Sequence, residues 1–163
     1  MDIPHRSSHN LFSVGDVGAR RLAESDLQAL QDFFVANPDY FLVVNGKRPR
    51  ADEARQEFED CPPPEMPFDE VFVIGFADSA GRLLAMASVI SNLLAEHVWH
   101  IGLFIVATSL HKLGTAAILY AGLEAWLKER GASGRRGRQR QGRALLGEAW
   151  LCRGQAPYWH AVG

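Results

Sequence analysis

The chain has little of several things that would settle its class at once. Only two cysteines occur in its 163 residues, Cys61 and Cys152. They lie far apart and lack the close pairing of a metal site, so they suit reduced thiols better than a disulfide framework, and no metal site is expected. No stretch approaches the roughly 18 consecutive apolar residues of a membrane helix, and "MDIPHRSSHNLFSV" lacks the apolar core of a signal peptide. A cytoplasmic protein with no membrane partner is the expectation. Charge of one sign is also missing: the net charge is -2 and the pI about 6.3, so nothing draws the whole chain to nucleic acid or to an anionic surface. Neither the P-loop nor the dinucleotide-binding glycine fingerprint is present.

What is there suits one domain, since 47% of the residues are hydrophobic and the length supports a single ordinary core. Residues 1–18 are polar and without periodicity, which predicts a flexible N-terminal arm. "ARRL" from Ala19 reads as a short strand. "SDLQALQDFF" follows with Ser25 as N-cap and Leu27, Leu30, Phe33 and Phe34 on one helical face. After Asn37-Pro38 comes the short apolar segment "YFLVV", and "ADEARQEFED" predicts a more polar helix stopped by "CPPPEMP". "EVFVIGFAD" and "GRLLAMASVI" flank Ser79-Ala80-Gly81 as a β-hairpin, and "HVWHIGLFIVA" supplies a third strand. From Leu113 the period becomes helical until Gly131.

The junction between that third strand and the last helix carries the chemistry. The first N–H groups of a helix have no intrahelical partner and its dipole is positive there, so a helix start suits phosphate. Gly114 and the small residues Thr115, Ala116 and Ala117 leave room for a close approach, with His111 and Lys112 at the edge. The plain alternative is an ordinary strand-to-helix connection with small residues for packing.

Here the chain resembles the GCN5-related N-acetyltransferases (GNAT family), whose acetyl-CoA motif runs Gln/Arg-x-x-Gly-x-Gly/Ala at a helix entry. The matching residues are His111, Lys112, Leu113, Gly114, Thr115 and Ala116. His111 stands at the usual Gln/Arg position and Lys112 where a second glycine is common. The resemblance also covers the order of elements from about Ala19 to Ala132: a short strand, two helices, three strands, then the motif helix. It implies an α+β fold with a mixed, mostly antiparallel sheet flanked by helices, and a GNAT-like acetyl-CoA-binding domain over 19–132. The pyrophosphate of acetyl-CoA would lie on the backbone of Lys112 through Ala117, and the exposed backbone of Phe104, Ile105 and Val106 would hold the pantetheine arm. The implied activity is transfer of an acetyl group from acetyl-CoA directly to a primary amine of a small molecule or peptide, in a ternary complex. The alternative function is a catalytically degenerate domain that binds CoA or a protein partner.

Amine acetylation needs a base, and Glu96, His97 and His100 cluster near the start of the third strand, where each could equally be a solvated strand-end residue. Asp52, Glu53, Glu57, Glu59, Asp60, Glu65, Asp69 and Glu70 form an acidic segment that would attract a cationic acceptor, or is simply a solvated face. Tyr40 and Phe41 could line the same cleft or belong to the core.

The resemblance departs after about residue 132. Residues 133–163 turn to arginine and glycine, with Arg135, Arg136, Arg138, Arg140 and Arg143 in one short stretch, and no further strand is legible. A shifted reading frame or a truncated C-terminus is one explanation, tested by sequencing the gene across Ser133. In the family a tyrosine of this region often protonates the leaving thiolate, which makes Tyr158 a candidate. The arginine run could instead hold a polyanion such as RNA, but it lacks interleaved aromatics. A missing sheet edge could be completed by a second copy of the chain as a homodimer.

Overall fold

The computed structural model describes residues 10–132. Five strands form one antiparallel sheet in the order of the chain: β1 (Asn10–Val14), β2 (Val17–Arg21), β3 (Val71–Ala77), β4 (Leu83–Ile90) and β5 (His100–Val106). Helices α1 (Leu27–Ala36), α2 (Asp39–Asn45) and α3 (Glu53–Glu59) connect β2 to β3, and α4 (Thr115–Glu129) follows β5. The architecture is the expected α+β sheet flanked by helices, and every strand pair among the described residues is antiparallel.

Alternation along the strands sorts the core into two layers. Phe72, Ile74 and Phe76 of β3, Ala85, Ala87 and Val89 of β4, and Phe104 and Val106 of β5 pack with Leu119, Leu123, Trp126 and Leu127 of α4. Their neighbours Val73, Met86, Leu103 and Ile105 face the other way, towards Leu30, Phe33 and Phe34 of α1, Phe41 of α2 and Ala54 of α3.

The N-terminal arm expected over residues 1–18 is different from Asn10 onward. Residues 10–18 belong to the β1–β2 hairpin, turned at Gly15 with φ 57°. The polar look of "NLFSVGDVG" hid a two-faced strand: Phe12 stacks on Trp126 at 5.6 Å and meets the edge of Phe76 at 5.7 Å. Gly122 lets this hairpin cross α4, because a Cβ there would come within 2.2 Å of a Val14 methyl.

The first long helix is also entered differently. A 3-10 turn, Glu24–Asp26, precedes α1, and the Asp26 carboxylate, not Ser25, accepts the Ala23 N–H at 2.8 Å. Arg20 donates to both oxygens of Asp26 at 2.8 and 3.0 Å, which ties β2 to the helix entry. These hydrogen bonds hold the Asp26 carboxyl below its ordinary range. The segment "YFLVV" lies within helix α2, which begins after Pro38 and ends at Gly46 with φ 67°.

The hairpin predicted at Ser79-Ala80-Gly81 is present. Asp78 Oδ1 accepts the N–H groups of Ala80 and Arg82 at 3.0 and 2.9 Å, and Gly81 takes φ 82°. Cys152, and with it the state of the two cysteines, lies outside the described residues, as do Tyr158 and the whole arginine run.

Candidate functional site

Strand β5 is the edge of the sheet among the described residues, since it pairs only with β4. Its register settles where its polar backbone groups point. Ala107 N–H donates to the Leu84 carbonyl at 2.8 Å. In an antiparallel pair the bonded residues alternate, so Ile105 and Leu103 also turn their backbone groups towards β4, opposite Met86 and Ser88. Phe104 and Val106 therefore direct theirs to the open edge. One partner is already visible there: the His111 ring lies 3.1 Å from the Val106 carbonyl through Nε2, and donates to it in the tautomer that carries the proton on that nitrogen.

Beyond β5 a 3-10 turn, Thr108–Leu110, carries the chain to α4. Lys112 and Gly114 both adopt left-handed backbone, with φ 67° and 75°. Gly114 is the N-cap of α4 and brings no capping side chain, and the space where its Cβ would stand is open to 4 Å. The first-turn N–H groups, those of Thr115, Ala116 and Ala117, thus face an uncrowded approach at the positive end of a helix of 15 residues. The turn from His111 to Gly114 is exposed, and Leu113 is 67% exposed.

A cavity of about 280 Å³ joins these two features. Phe104, Ile105, Val106, Thr108, His111 and Ala116 line one side, and Asn37, Asp39, Tyr40 and Val43 line the other. The α1–α2 corner is fastened to the strand end: Thr108 N–H donates to Asn37 Oδ1 at 2.8 Å, Thr108 Oγ1 donates to Asp39 Oδ2 at 3.2 Å, and Asn37 Nδ2 donates to the Phe33 carbonyl at 2.8 Å. Five residues expected to touch cofactor from the sequence, Phe104, Ile105, Val106, His111 and Ala116, thus share one cavity. Lys112, Leu113, Gly114, Thr115 and Ala117 form the turn and helix entry beside it.

The expected bases lie elsewhere. Glu96 and His97 are exposed in the connection before β5, and His97 sits beside Gly131, beyond the C-terminal end of α4 and opposite to its Gly114 end. His100 opens β5, roughly 13 Å along the strand from Phe104 at the usual rise per residue. Burial lowers its pKa, so the ring is neutral at neutral pH.

Glu57, which the sequence offered only as one of eight residues of an acidic segment, is set apart from the others by the fold. It sits on α3 one turn from the buried Ala54 and next to Phe58, which packs against the same layer. The residue as a whole is partly buried and its carboxyl end is the enclosed part. Burial pushes that carboxyl up to about 8, with the charges of Asp60 and Glu53 adding to the rise and a hydrogen bond with Ser88 opposing it. Tyr40, on the cavity wall, has its phenol pKa raised well above the ordinary range by burial and then by the charges of Glu57 and Glu53. The signal in the sequence was a glutamate on the apolar stripe of an otherwise solvated helix.

Three other members of the acidic segment have partners away from the cavity lining. Glu53 pairs with Arg50, Glu70 with Arg21, and Asp69 accepts from Asn92. Of the two aromatics, Tyr40 reaches the cavity and Phe41 is buried in the core.

An open-edged strand, a small-residue helix entry after it and a cavity between them are the framework of an acyl-CoA-binding transferase fold. The chain belongs to the acetyltransferase (GNAT) family, whose model matches residues 27–136. Among solved structures it is similar to a GNAT family acetyltransferase from Staphylococcus aureus at 12% identity and a TM-score of 0.54, covering 88% of this chain and 99% of that one. It is also similar to a GCN5-related N-acetyltransferase from Kribbella flavida, at 19% identity and a TM-score of 0.49, covering 73% of this chain and 69% of that one. A GNAT family acetyltransferase from Brucella melitensis in complex with acetyl-CoA matches at 14% identity and a TM-score of 0.45, over 89% of this chain and 96% of that one. At these identities the likeness is one of fold. No curated protein matches the sequence.

Proposed function

We propose that the protein is an acetyl-CoA-dependent N-acetyltransferase that passes the acetyl group directly to a primary amine while both substrates are bound. The observation that carries this function is the cavity that joins the outward backbone of Phe104 and Val106 to the entry of α4. The residues present fit acetyl-CoA. Gly114 leaves the helix start open, the first-turn N–H groups of α4 suit a pyrophosphate, and Lys112 adds a cation on the same turn. Acetyl-CoA supplies an acyl carbon activated as a thioester.

The protein's own work is to hold and to orient. Phe104 and Val106 offer main-chain donors and acceptors at the edge of a rigid sheet, and fixed donors of this kind stabilise charge that develops on an acyl oxygen. Asn37 and Asp39, anchored to Thr108, close the opposite wall. The acceptor is an amine of a small molecule or peptide, entering from the side of α2 and α3, and a cytoplasmic setting belongs to the same proposal.

Isothermal titration with acetyl-CoA tests the proposal. Saturable binding is expected, and no heat of binding at millimolar ligand overturns it. Binding without release of thiol across a panel of primary amines favours a domain that binds CoA without catalysis.

A further inference from the structure

The open edge of β5 is where the pantetheine arm of acetyl-CoA would pair, and one of its outward groups is already engaged. The Val106 carbonyl points away from β4, and the His111 ring reaches it through Nε2 at 3.1 Å. A carbonyl can only accept, so this hydrogen bond needs the ring proton on Nε2. The 3-10 turn Thr108–Leu110 brings position 111 back alongside the strand, and the backbone N–H of His111 donates to the Thr108 carbonyl at 3.1 Å. The ring thus becomes part of the cavity wall beside Val106.

We propose that His111 is a latch on the cofactor site: its ring holds the Val106 carbonyl in the ligand-free protein, and the pantetheine arm binds by taking that carbonyl and displacing the ring. The latch rests on the acetyl-CoA binding proposed above. The arm carries secondary amides, whose N–H groups are donors that can replace the imidazole N–H on the same acceptor. The carbonyl oxygen has a second lone pair, but the ring lines the space through which the arm has to approach, so the two exchange and do not share it.

The remainder of the wall is fixed where His111 is not. Phe104 and Val106 belong to the sheet, and Asn37 and Asp39 are both hydrogen-bonded to Thr108, at 2.8 and 3.2 Å. His111 stands on an exposed turn. Its neighbour Lys112 takes left-handed backbone at φ 67°, which costs energy in a residue with a Cβ and persists only where the surroundings hold it. The bond from His111 to the strand is one such hold, and its release lets the turn relax.

A side chain that only adds a contact to the cofactor loses affinity when it is cut back. A latch competes with the cofactor, and its removal has the opposite sign. The probe that separates the two is S-acetylpantetheine, which keeps the arm and lacks the pyrophosphate.

The test uses the full chain and its H111A variant, with calorimetric titration of S-acetylpantetheine and of acetyl-CoA. H111A should bind S-acetylpantetheine about threefold more tightly than wild type, the worth of one neutral hydrogen bond no longer broken on binding. Circular dichroism should be the same for both proteins, because the residue lies on an exposed turn. Nitrogen-15 NMR of the wild-type ring should show the tautomer protonated at Nε2 without ligand and shifted ring signals at saturating acetyl-CoA. Equal or weaker binding of S-acetylpantetheine by H111A, no binding of it by either protein while acetyl-CoA still binds, or His111 ring signals unchanged at saturation each overturns the latch alone. Absent acetyl-CoA binding in both proteins overturns the transferase function beneath it.

Discussion

The two faces of the sheet are built from the same strands and differ in what they exclude. The α4 face is closed by aromatic contacts: Phe72, Phe76, Phe104, Trp99 and Trp126 meet at centroid distances between 5.6 and 5.8 Å with Phe12 added from β1. The α1–α3 face is also apolar at its centre, but it admits Ser88, Tyr40 and the carboxyl of Glu57, and it borders the cavity. Burial of a titratable carboxyl opposes stability, and a closed apolar core would avoid it. Its presence on the face that also borders the cavity sets that face apart from the closed α4 face.

Substitutions on the two faces should therefore behave differently, beginning with the largest effect. Phe76 is fully buried and touches both Phe12 and Phe104, so Phe76→Ala should lose about 4 kcal/mol of unfolding free energy, read from urea denaturation. A loss below about 1 kcal/mol would break the distinction, because the α4 face would then contribute no more than a surface.

Glu57→Gln should act with the opposite sign at alkaline pH. The folded protein binds this proton more tightly than the unfolded chain, whose glutamate titrates near the ordinary 4.5. Stability from the group is therefore complete at low pH and is lost as pH rises from about 4.5 to about 8. The variant should flatten that slope and exceed wild type by on the order of 2 kcal/mol at alkaline pH, a figure reduced for the partial exposure of the residue. Parallel stability curves for the two proteins across this window would contradict an enclosed carboxyl.

The smallest effect is expected at the hinge between cavity wall and strand. Asn37→Ala leaves the Thr108 N–H without its acceptor and should cost about 1 kcal/mol of stability. The same change should weaken acetyl-CoA severalfold, since it loosens the wall opposite Phe104. Unchanged affinity would show that the α1–α2 corner is not part of the binding site.

Much of this comparison could be read from the sequence, and its limits have physical causes. Periodicity located α1, α3, α4 and strands β3 to β5, because each carries enough apolar residues to show its period. The β1–β2 hairpin was not legible, since Phe12 and Val14 alternate with polar residues over only five positions beside glycine-rich turns. The cofactor-side residues could be placed because strand, turn and helix entry are contiguous from Phe104 to Ala117. The enclosure of Glu57 could not, because it arises only when α3 packs against the sheet beside Ser88. Glu96 and His97 are near β5 in sequence, but the cavity lies at the other end of that strand, beside Phe104, Ile105 and Val106.

The central claim is that the entry of α4 and the open edge of β5 together bind acetyl-CoA. Titration calorimetry of the wild type and of Gly114→Val tests it most directly. A β-branched residue is strained at φ 75° and crowds the approach to the first-turn N–H groups, so affinity should fall at least about tenfold while α4 stays folded by circular dichroism. Saturable binding by the wild type with that loss in the variant is the predicted result. Equal affinity in both proteins, or no binding by either at millimolar acetyl-CoA, would contradict it.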